Sequence, residues 1–338
     1  MKLIGLLLLA LVSLVEGEEI ANSRRGVPSF AFPAFFGRSC ASSFPQSHTE
    51  EGEELRVKFP TIPHWGRGGA ARQVSHNPTL GKGRSCASFT ATCPDFFVKD
   101  RNTPVTPTVF RGAQFVQICQ KYKNVYRYAT LYDTRNRIPV YSAYTYAGYA
   151  QTTRSGSWMI EPQLDDPRAQ PEMGTEGKVP GDSLGAHQAV NRDYENTGYQ
   201  KGHVYPHCHN CDKDQAESTF TLTNAAPQTG ADNTQWFNQV EKQVTADIGK
   251  GCKPNTFQGK VGLTPNVVKN RVNIPSYYWS AVCCEDNNKK FTSWGYVLQM
   301  NGYGSSTAAL YPLNQLNSDL TNEYNAPFKV FGAIQGCS

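Results

Sequence analysis

A histidine in the middle of the chain lies in a sequence where it could act as a base. His203 follows Gly202, and a residue without a side chain lets the backbone turn closely and leaves the imidazole room to project. A neutral imidazole near pH 7 can take a proton from water. A histidine in a loop is more often structural than catalytic, so its role depends on the residues that follow it.

Two candidate metal ligands follow in a predicted helix at residues 233–248. At about 100° per residue, its apolar side chains form one face around Asn233, and Glu241 lies about 80° from Asn233 at the edge of that face. An amide and a carboxylate on a core-facing stripe are costly unless they have partners. In the simpler interpretation, Asn233 caps the helix and Glu241 pairs with a lysine or a backbone donor.

The alternative interpretation of the same two residues is a divalent metal site. Asn233 and Glu241 are separated by about 12 Å along a helix axis, so they cannot easily both contact one ion. Mg²⁺ usually keeps several waters, and a site with Asn233 as direct ligand and Glu241 acting through water is therefore chemically reasonable. A metal ion near His203 could stabilise the charge that develops on a phosphate.

Several motifs of this region occur together in one order. They are Q-K-G-H at residues 200–203, N-A-A-P-Q at residues 224–228 and N-T-Q-W-F-N-Q-V-E at residues 233–241. They resemble the D-R-G-H, N-x-x-P-Q and N-x-x-W-x-x-x-x-E signature of the DNA/RNA non-specific endonucleases of the ββα-metal (His-Me finger) superfamily, in particular its secreted, vertebrate-type endonuclease domain-containing members. The resemblance extends to residues 132–139 and 272–279 and covers roughly residues 93–337. Several motifs in order are more specific than any one of them.

The resemblance implies an activity and a set of roles. It implies an endonuclease that uses Mg²⁺, or another divalent cation such as Mn²⁺, to hydrolyse phosphodiester bonds in DNA, RNA or both. His203 would be the general base and Asn233 the direct metal ligand. Glu241 would be the carboxylate that holds the water shell of the metal.

The resemblance also implies residues that contact the substrate, and the Q-K-G-H segment departs from the family motif at two positions. Asn224 matches a catalytic residue that helps to position the phosphate, and Arg137 and Lys201 match substrate-binding residues. Gln200 replaces the aspartate of the motif and carries no charge, whereas Lys201 replaces the arginine and loses its bidentate fork. The alternative function is therefore a secreted nucleic-acid-binding protein that keeps the nuclease fold with impaired catalysis.

The pattern of predicted elements indicates the fold class. Strands are predicted at residues 126–132, 138–146, 219–223, 278–283 and 291–298, and a second helix at residues 311–324. The first two strands should form a hairpin with Arg135 and Arg137 at its tip. Strands dominate without regular alternation with helices, which indicates an α+β fold. The resemblance adds a mixed or antiparallel sheet core and a ββα-metal finger.

The first 88 residues differ in composition and sequence pattern from the rest of the chain. Residues 1–17 have the layout of a secretory signal peptide, which predicts a secreted protein. Residues 18–88 are of low complexity and repeat G-R-S-C-A-S, so we expect a poorly ordered extension before a nuclease domain at residues 89–338. No later segment approaches the roughly 20 apolar residues of a membrane span. The net charge of +5 suits a polyanionic partner without requiring one.

The ten cysteines of an exported chain should be paired, because the count is even and export leads to an oxidising compartment. The adjacent Cys283 and Cys284 should bond to different partners. The segment H-C-H-N-C at residues 207–211 also permits zinc binding, although no second pair of suitable spacing follows and disulfides are the favoured interpretation.

Overall fold

The computed structural model describes residues 88–150, 154–179, 181–250, 252, 258–269, 271–286, 288 and 290–337, with the backbone alone described at residues 258–269. The predicted signal peptide and all but the last residue of the predicted extension lie outside these ranges.

The described residues form eleven strands, six α-helices and several shorter helical turns. The strands are β1 (Lys99–Asp100), β2 (Thr103–Pro104), β3 (Phe115–Tyr122), β4 (Val125–Asp133), β5 (Ile138–Thr145), β6 (Tyr199–His203), β7 (Ala225–Thr229), β8 (Gln258–Lys269), β9 (Val272–Glu285), β10 (Phe291–Gln299) and β11 (Ala309–Pro312). The α-helices are α1 (Phe89–Thr92), α2 (Pro162–Asp165), α3 (Lys213–Ser218), α4 (Gly230–Trp236), α5 (Lys242–Ile248) and α6 (Leu313–Glu323). A π-helical turn (Phe237–Glu241) joins α4 to α5, and we call this continuous element, residues 230–248, the long helix.

A seven-stranded sheet with the order β11-β10-β9-β8-β5-β4-β3 forms the centre of the fold. Each neighbouring pair of strands is antiparallel. Successive side chains of a strand point to opposite faces, and β9 shows the result. Tyr278 and Val282 pack in the apolar cluster that contains Val244 of the long helix, whereas Trp279 packs in the cluster that contains Leu316 of α6. The sheet is therefore covered on both faces, in an α+β fold with an antiparallel core.

A second, two-stranded sheet leads into the long helix. β6 pairs with β7 in antiparallel register, with His203 opposite Ala225, and the helix begins at Gly230 directly after β7. Gly202 is required in β6, because a Cβ there would lie 1.9 Å from the side-chain oxygen of Gln228 on the partner strand. The two strands and the helix form the ββα unit expected from the family resemblance.

Most of the predicted elements are present, and the exceptions have local causes. The hairpin of β4 and β5 forms as expected. The strand predicted at residues 219–223 is wrong, because Leu222–Asn224 forms a 3-10 turn and the hydroxyl of Thr219 donates to the carbonyl of Ala216. The helix predicted at residues 311–324 is preceded by β11 and begins at Leu313, after Pro312.

Three disulfides lie within the described residues, and they join Cys93 to Cys119, Cys252 to Cys284 and Cys283 to Cys337. The prediction that the adjacent Cys283 and Cys284 bond to different partners is confirmed. The prediction that the cysteines are paired throughout is wrong, because Cys208 is a free, buried thiol.

Within the described ranges, no helix combines the length and the apolar character needed to cross a bilayer.

Candidate active site

A cleft of about 390 Å³ lies between the end of β6, the turn after it and the long helix. It brings together three of the predicted site residues, His203, Asn233 and Glu241. The other described residues that line it are Tyr149, Arg154, His207, Cys208, Thr234 and Phe237. Asn224, Arg137 and Lys201 are not among these lining residues.

His203 is the last residue of β6 and is buried, with 7% of its surface exposed. Its ring lies 4.9 Å from that of Trp158 and 4.7 Å from that of Phe220, measured between centroids. Burial, followed by the charges of Arg154 and His207, holds the pKa of His203 well below its usual range. The imidazole is therefore neutral near pH 7, and its buried Nε2 atom has no hydrogen-bond partner among the described residues. It has the protonation state of a base.

Asn233 lies within the long helix and does not cap it. Thr229 is the N-cap, and its hydroxyl accepts the backbone N–H of Asp232 at 3.2 Å. The side-chain amide of Asn233 instead donates from Nδ2 to Oε1 of Gln200 at 2.8 Å. This bond fixes the orientation of the amide and leaves its oxygen to accept another partner. Gln200 thus orients Asn233, although it lacks the charge of the aspartate in the family motif.

The π-turn changes the direction in which Glu241 points. In a regular α-helix Glu241 would lie about 80° from Asn233. A π-turn accommodates one extra residue, so the separation becomes equivalent to seven α-helical residues, about 20° short of two full turns. Asn233 and Glu241 therefore lie on the same side of the helix, toward the cleft. A helical wheel drawn from the sequence cannot show this rotation.

A histidine outside the cleft lining supports the π-turn. The carbonyl of Glu241 accepts a hydrogen bond from Nε2 of His209 at 3.0 Å. A carbonyl can only accept, so Nε2 carries the proton and Nδ1 accepts the hydroxyl of Tyr144 at 2.9 Å. Burial lowers the pKa of His209 to about 4, which keeps this ring neutral.

The carboxyl of Glu241 has an unusual environment for an acid. Burial raises its pKa to about 7, while its bond with Cys208 and the charge of Arg154 act in the opposite direction. The thiol of Cys208 donates to Oε2 of Glu241 at 3.4 Å. Burial, followed by the charge of Glu241, raises the pKa of Cys208 well above its usual range. The thiol is therefore protonated at neutral pH and acts as a hydrogen-bond donor.

Asn224 lies behind the cleft and is fully buried. Its Oδ1 accepts the hydroxyl of Ser142 and the backbone N–H of Tyr205, both at 2.9 Å. Its Nδ2 donates to the carbonyls of Tyr205 and Thr219 at 3.1 and 3.0 Å. All four hydrogen-bonding positions of the amide are used within the protein. The side chain of Asn224 therefore has none left for the phosphate contact that the family resemblance implied. Asn224 holds the segment that directly follows His203.

The two predicted substrate-binding cations also lie elsewhere. The guanidinium of Arg137 donates to the carbonyls of Arg135, Arg271 and Ala186 at 3.1–3.3 Å, and so ties the tip of the β4–β5 hairpin to two loops. The ammonium of Lys201 lies 5.7 Å from the centroids of the rings of Trp158 and Tyr194. Burial lowers the pKa of Lys201.

The segment at residues 207–211 divides between two environments. Cys211 forms a disulfide and is not available as a metal ligand, whereas His207 and Cys208 line the cleft. In the part of the chain that the structure describes, no three His, Cys, Asp or Glu side chains are grouped so as to hold a metal ion. The zinc interpretation therefore has no site among these residues.

The cleft contains residues that the sequence analysis did not assign to the site. His207 and Cys208 were singled out only as possible zinc ligands. Arg154 lies in a loop between β5 and α2 that has no periodic pattern and no motif, so no feature of the sequence indicated it.

The donors in the cleft fit a hard divalent cation. An amide oxygen from Asn233 and a carboxylate from Glu241 are the oxygen ligands that Mg²⁺ and Mn²⁺ accept. One direct ligand, Asn233, and a carboxylate that acts through water, Glu241, are compatible with a cation that keeps most of its waters.

Comparison with known proteins assigns the family. The chain is 36% identical over 199 residues to the human endonuclease domain-containing 1 protein, a match that covers 57% of this chain and 38% of the relative. The mouse protein of the same name is 34% identical over 202 residues, with the same coverage. Bovine mitochondrial endonuclease G is 27% identical over 166 residues, which are 44% of this chain and 55% of that protein.

One solved structure, the EndoG/EndoGI complex described as showing the mechanism of EndoG inhibition, matches 64% of this chain and 86% of the solved chain. The TM-score is 0.46 and the sequence identity 18%, so this match adds no support. The family model described as DNA/RNA non-specific endonuclease matches residues 110–327, more than half of the chain. The chain therefore belongs to the DNA/RNA non-specific endonuclease family, whose members are divalent-metal-dependent nucleases.

Proposed function

We propose that this chain is a secreted, Mg²⁺-dependent endonuclease with little sequence preference, which hydrolyses phosphodiester bonds in DNA, RNA or both. The observation that supports the proposal is the convergence of His203, Asn233 and Glu241 on one cleft. His203 is neutral, as a general base must be, and Asn233 and Glu241 supply oxygen atoms of the kind that a hard divalent cation binds. The disulfides among the described residues are compatible with export.

His203 is the general base in this proposal. Its neutral imidazole takes a proton from a water molecule while the oxygen of that water attacks phosphorus and the bond to the leaving oxygen breaks. The low pKa of the buried imidazole keeps it neutral before the reaction. The rings of Trp158 and Phe220 restrict its orientation, and Asn224 fixes the backbone that follows it.

Asn233 and Glu241 would hold the cation, which supplies positive charge to stabilise the phosphate and the leaving oxygen. Gln200 orients Asn233 through the bond to its amide nitrogen. The thiol of Cys208 and the imidazole of His209 hold the side chain and the backbone of Glu241.

The proposal is tested by cleavage of supercoiled plasmid in the presence of Mg²⁺. We expect His203→Ala to reduce the rate at least about 100-fold, because a positioned general base contributes about 10²- to 10⁴-fold. His187→Ala is the matched control, since His187 lies outside the cleft lining and its side chain is 58% exposed. It should cleave like the wild type, and a chelator should abolish cleavage by both. Equal rates for the wild type and His203→Ala would contradict the proposal.

The second candidate function is nucleic-acid binding without turnover. It is favoured by the uncharged Gln200 in place of an aspartate and by the position of Lys201 over two aromatic rings. It predicts equally negligible cleavage by the wild type and His203→Ala, while both still retard DNA on a gel.

A further inference from the structure

The cleft has a single permanently charged cation among its described lining residues. That residue is Arg154, whose side chain is exposed. A nuclease has to hold an anionic backbone against its base and its metal ligands, and arginine presents a planar fork of donors that matches two oxygens of a phosphate.

The two cations expected to bind substrate are committed to other contacts. The Nη1 and Nη2 atoms of Arg137 donate to three backbone carbonyls, and Lys201 lies over the rings of Trp158 and Tyr194. Neither is among the described residues that line the cleft. A positively charged side chain that contacts substrate beside His203 would therefore be a different residue.

The charge of Arg154 acts on three groups of the cleft. It lowers the pKa of His203, of Glu241 and of Cys208. Arg154 lines the same cleft as His203, Cys208 and Glu241, so it is a neighbour of both the general base and the proposed metal-holding carboxylate. An anion beside all three would have Arg154 as its nearest permanent positive charge in the described lining.

We propose that Arg154 binds the phosphate that is cleaved, a role that the family pattern gives to the arginine at the position of Lys201. This inference rests on the proposed function for its substrate class, a phosphodiester of a nucleic acid. Arg154 reaches the phosphate from the loop before α2, and Lys201 supports the ring of Trp158 against His203.

Binding without cleavage tests the contact directly. A fluorescein-labelled DNA duplex is titrated with His203→Ala in Mg²⁺ at several salt concentrations, and the same titration is made after adding Arg154→Ala, Arg154→Lys or Arg168→Ala. Arg168 is the matched control, because its side chain is 92% exposed and pairs only with the neighbouring Asp166 among the contacts described.

Arg154→Ala should raise Kd about tenfold, as expected for loss of a charged hydrogen bond, and should reduce the slope of log K against log salt by about one. Arg154→Lys should retain the slope and recover part of the affinity, because it keeps the charge and loses the fork. Arg168→Ala should change neither. If Arg154→Ala matches Arg168→Ala, or if His203→Ala binds no duplex, the contact is refuted.

A cleavage assay separates this inference from the proposed function. In the otherwise wild-type chain, Arg154→Ala should lower kcat/KM on plasmid about tenfold or more, and Arg168→Ala should leave it unchanged. Wild-type cleavage that Arg154→Ala does not alter would refute the role of Arg154 and leave the nuclease function in place. Absence of wild-type cleavage, with the Kd and slope changes still present, would refute the function and leave the contact in place.

Discussion

At the residue scale, burial decides the chemistry of the cleft. His203 and His209 are both buried and neutral, but they have different partners. Both ring nitrogens of His209 are hydrogen-bonded, whereas Nε2 of His203 has no described partner. His209 is therefore a structural support of the π-turn, whereas His203 lines the cleft without a hydrogen-bond partner at Nε2 in the described part of the chain.

The low pKa of His203 predicts the pH dependence of cleavage. The base must be neutral, so activity is lost as pH falls through its pKa. Burial, Arg154 and His207 lower that pKa, and the acidic limb of log kcat/KM should therefore lie below about 6.5, the ordinary histidine value. The profile should be measured at saturating Mg²⁺, which keeps metal binding from limiting the rate. An acidic limb at or above the ordinary value would show that the imidazole is not buried as described.

At the element scale, the long helix positions both candidate metal ligands, and its π-turn sets their relative direction. Deleting the exposed Asn238 should convert the π-turn into regular α-helix and keep Glu241 toward the cleft, since seven residues then separate it from Asn233. We expect this variant to fold and to cleave plasmid within a few-fold of the wild type.

Deleting the exposed Gln243 is the control for the change in length. It lies after Glu241, so its removal would rotate Val244 and Ile248 by about 100° out of the core and should lower the melting temperature. Loss of cleavage by the Asn238 deletion, in a protein that melts like the wild type, would show that the π-turn has a role beyond the direction of Glu241.

The elements also show how far the sequence predicts the site. The family resemblance predicted His203, Asn233 and Glu241 as site residues from the order and spacing of their motifs, and the three line one cleft. β6 and β7 were not predicted from an alternation of apolar and polar side chains, because each strand has only five residues and shows too little of such a pattern. The capping role considered for Asn233 failed because Thr229, four residues earlier, is the N-cap.

Arg154 and the π-turn lie beyond sequence reasoning for different physical reasons. A loop has no period from which the direction of a side chain can be read. A π-turn breaks the assumption of a constant rotation per residue on which a helical wheel depends. The scaffold role of Asn224 likewise depends on partners distant in sequence, such as Ser142.

At the scale of the whole molecule, one buried acid is not used by the proposed mechanism. Glu161 is fully buried, and neither of its carboxyl oxygens has a hydrogen-bond partner among the described residues. Burial, followed by the charge of Glu172, raises the pKa of Glu161 well above its usual range. The folded protein therefore holds this proton more tightly than the unfolded chain, and stability is lost as pH rises from the unfolded pKa toward the folded one.

Glu161→Gln should remove this loss, because glutamine has nearly the shape of the protonated acid and does not titrate. We expect a higher melting temperature than the wild type at pH 8 and a smaller difference at pH 5, with about 1.4 kcal/mol for each pH unit of raised pKa. Glu195→Gln, at an exposed position, is the control. If the melting temperatures of Glu161→Gln and the wild type differed by the same amount at pH 5 and pH 8, Glu161 would not be protonated in the folded state.

The measurement that tests the central claim most directly is the ratio of plasmid cleavage rates for His203→Ala and His187→Ala at saturating Mg²⁺. If the cleft hydrolyses phosphodiesters with His203 as its base, the ratio is about 0.01 or lower. A ratio near one, with active protein in both cases, would place the chemistry elsewhere in the molecule.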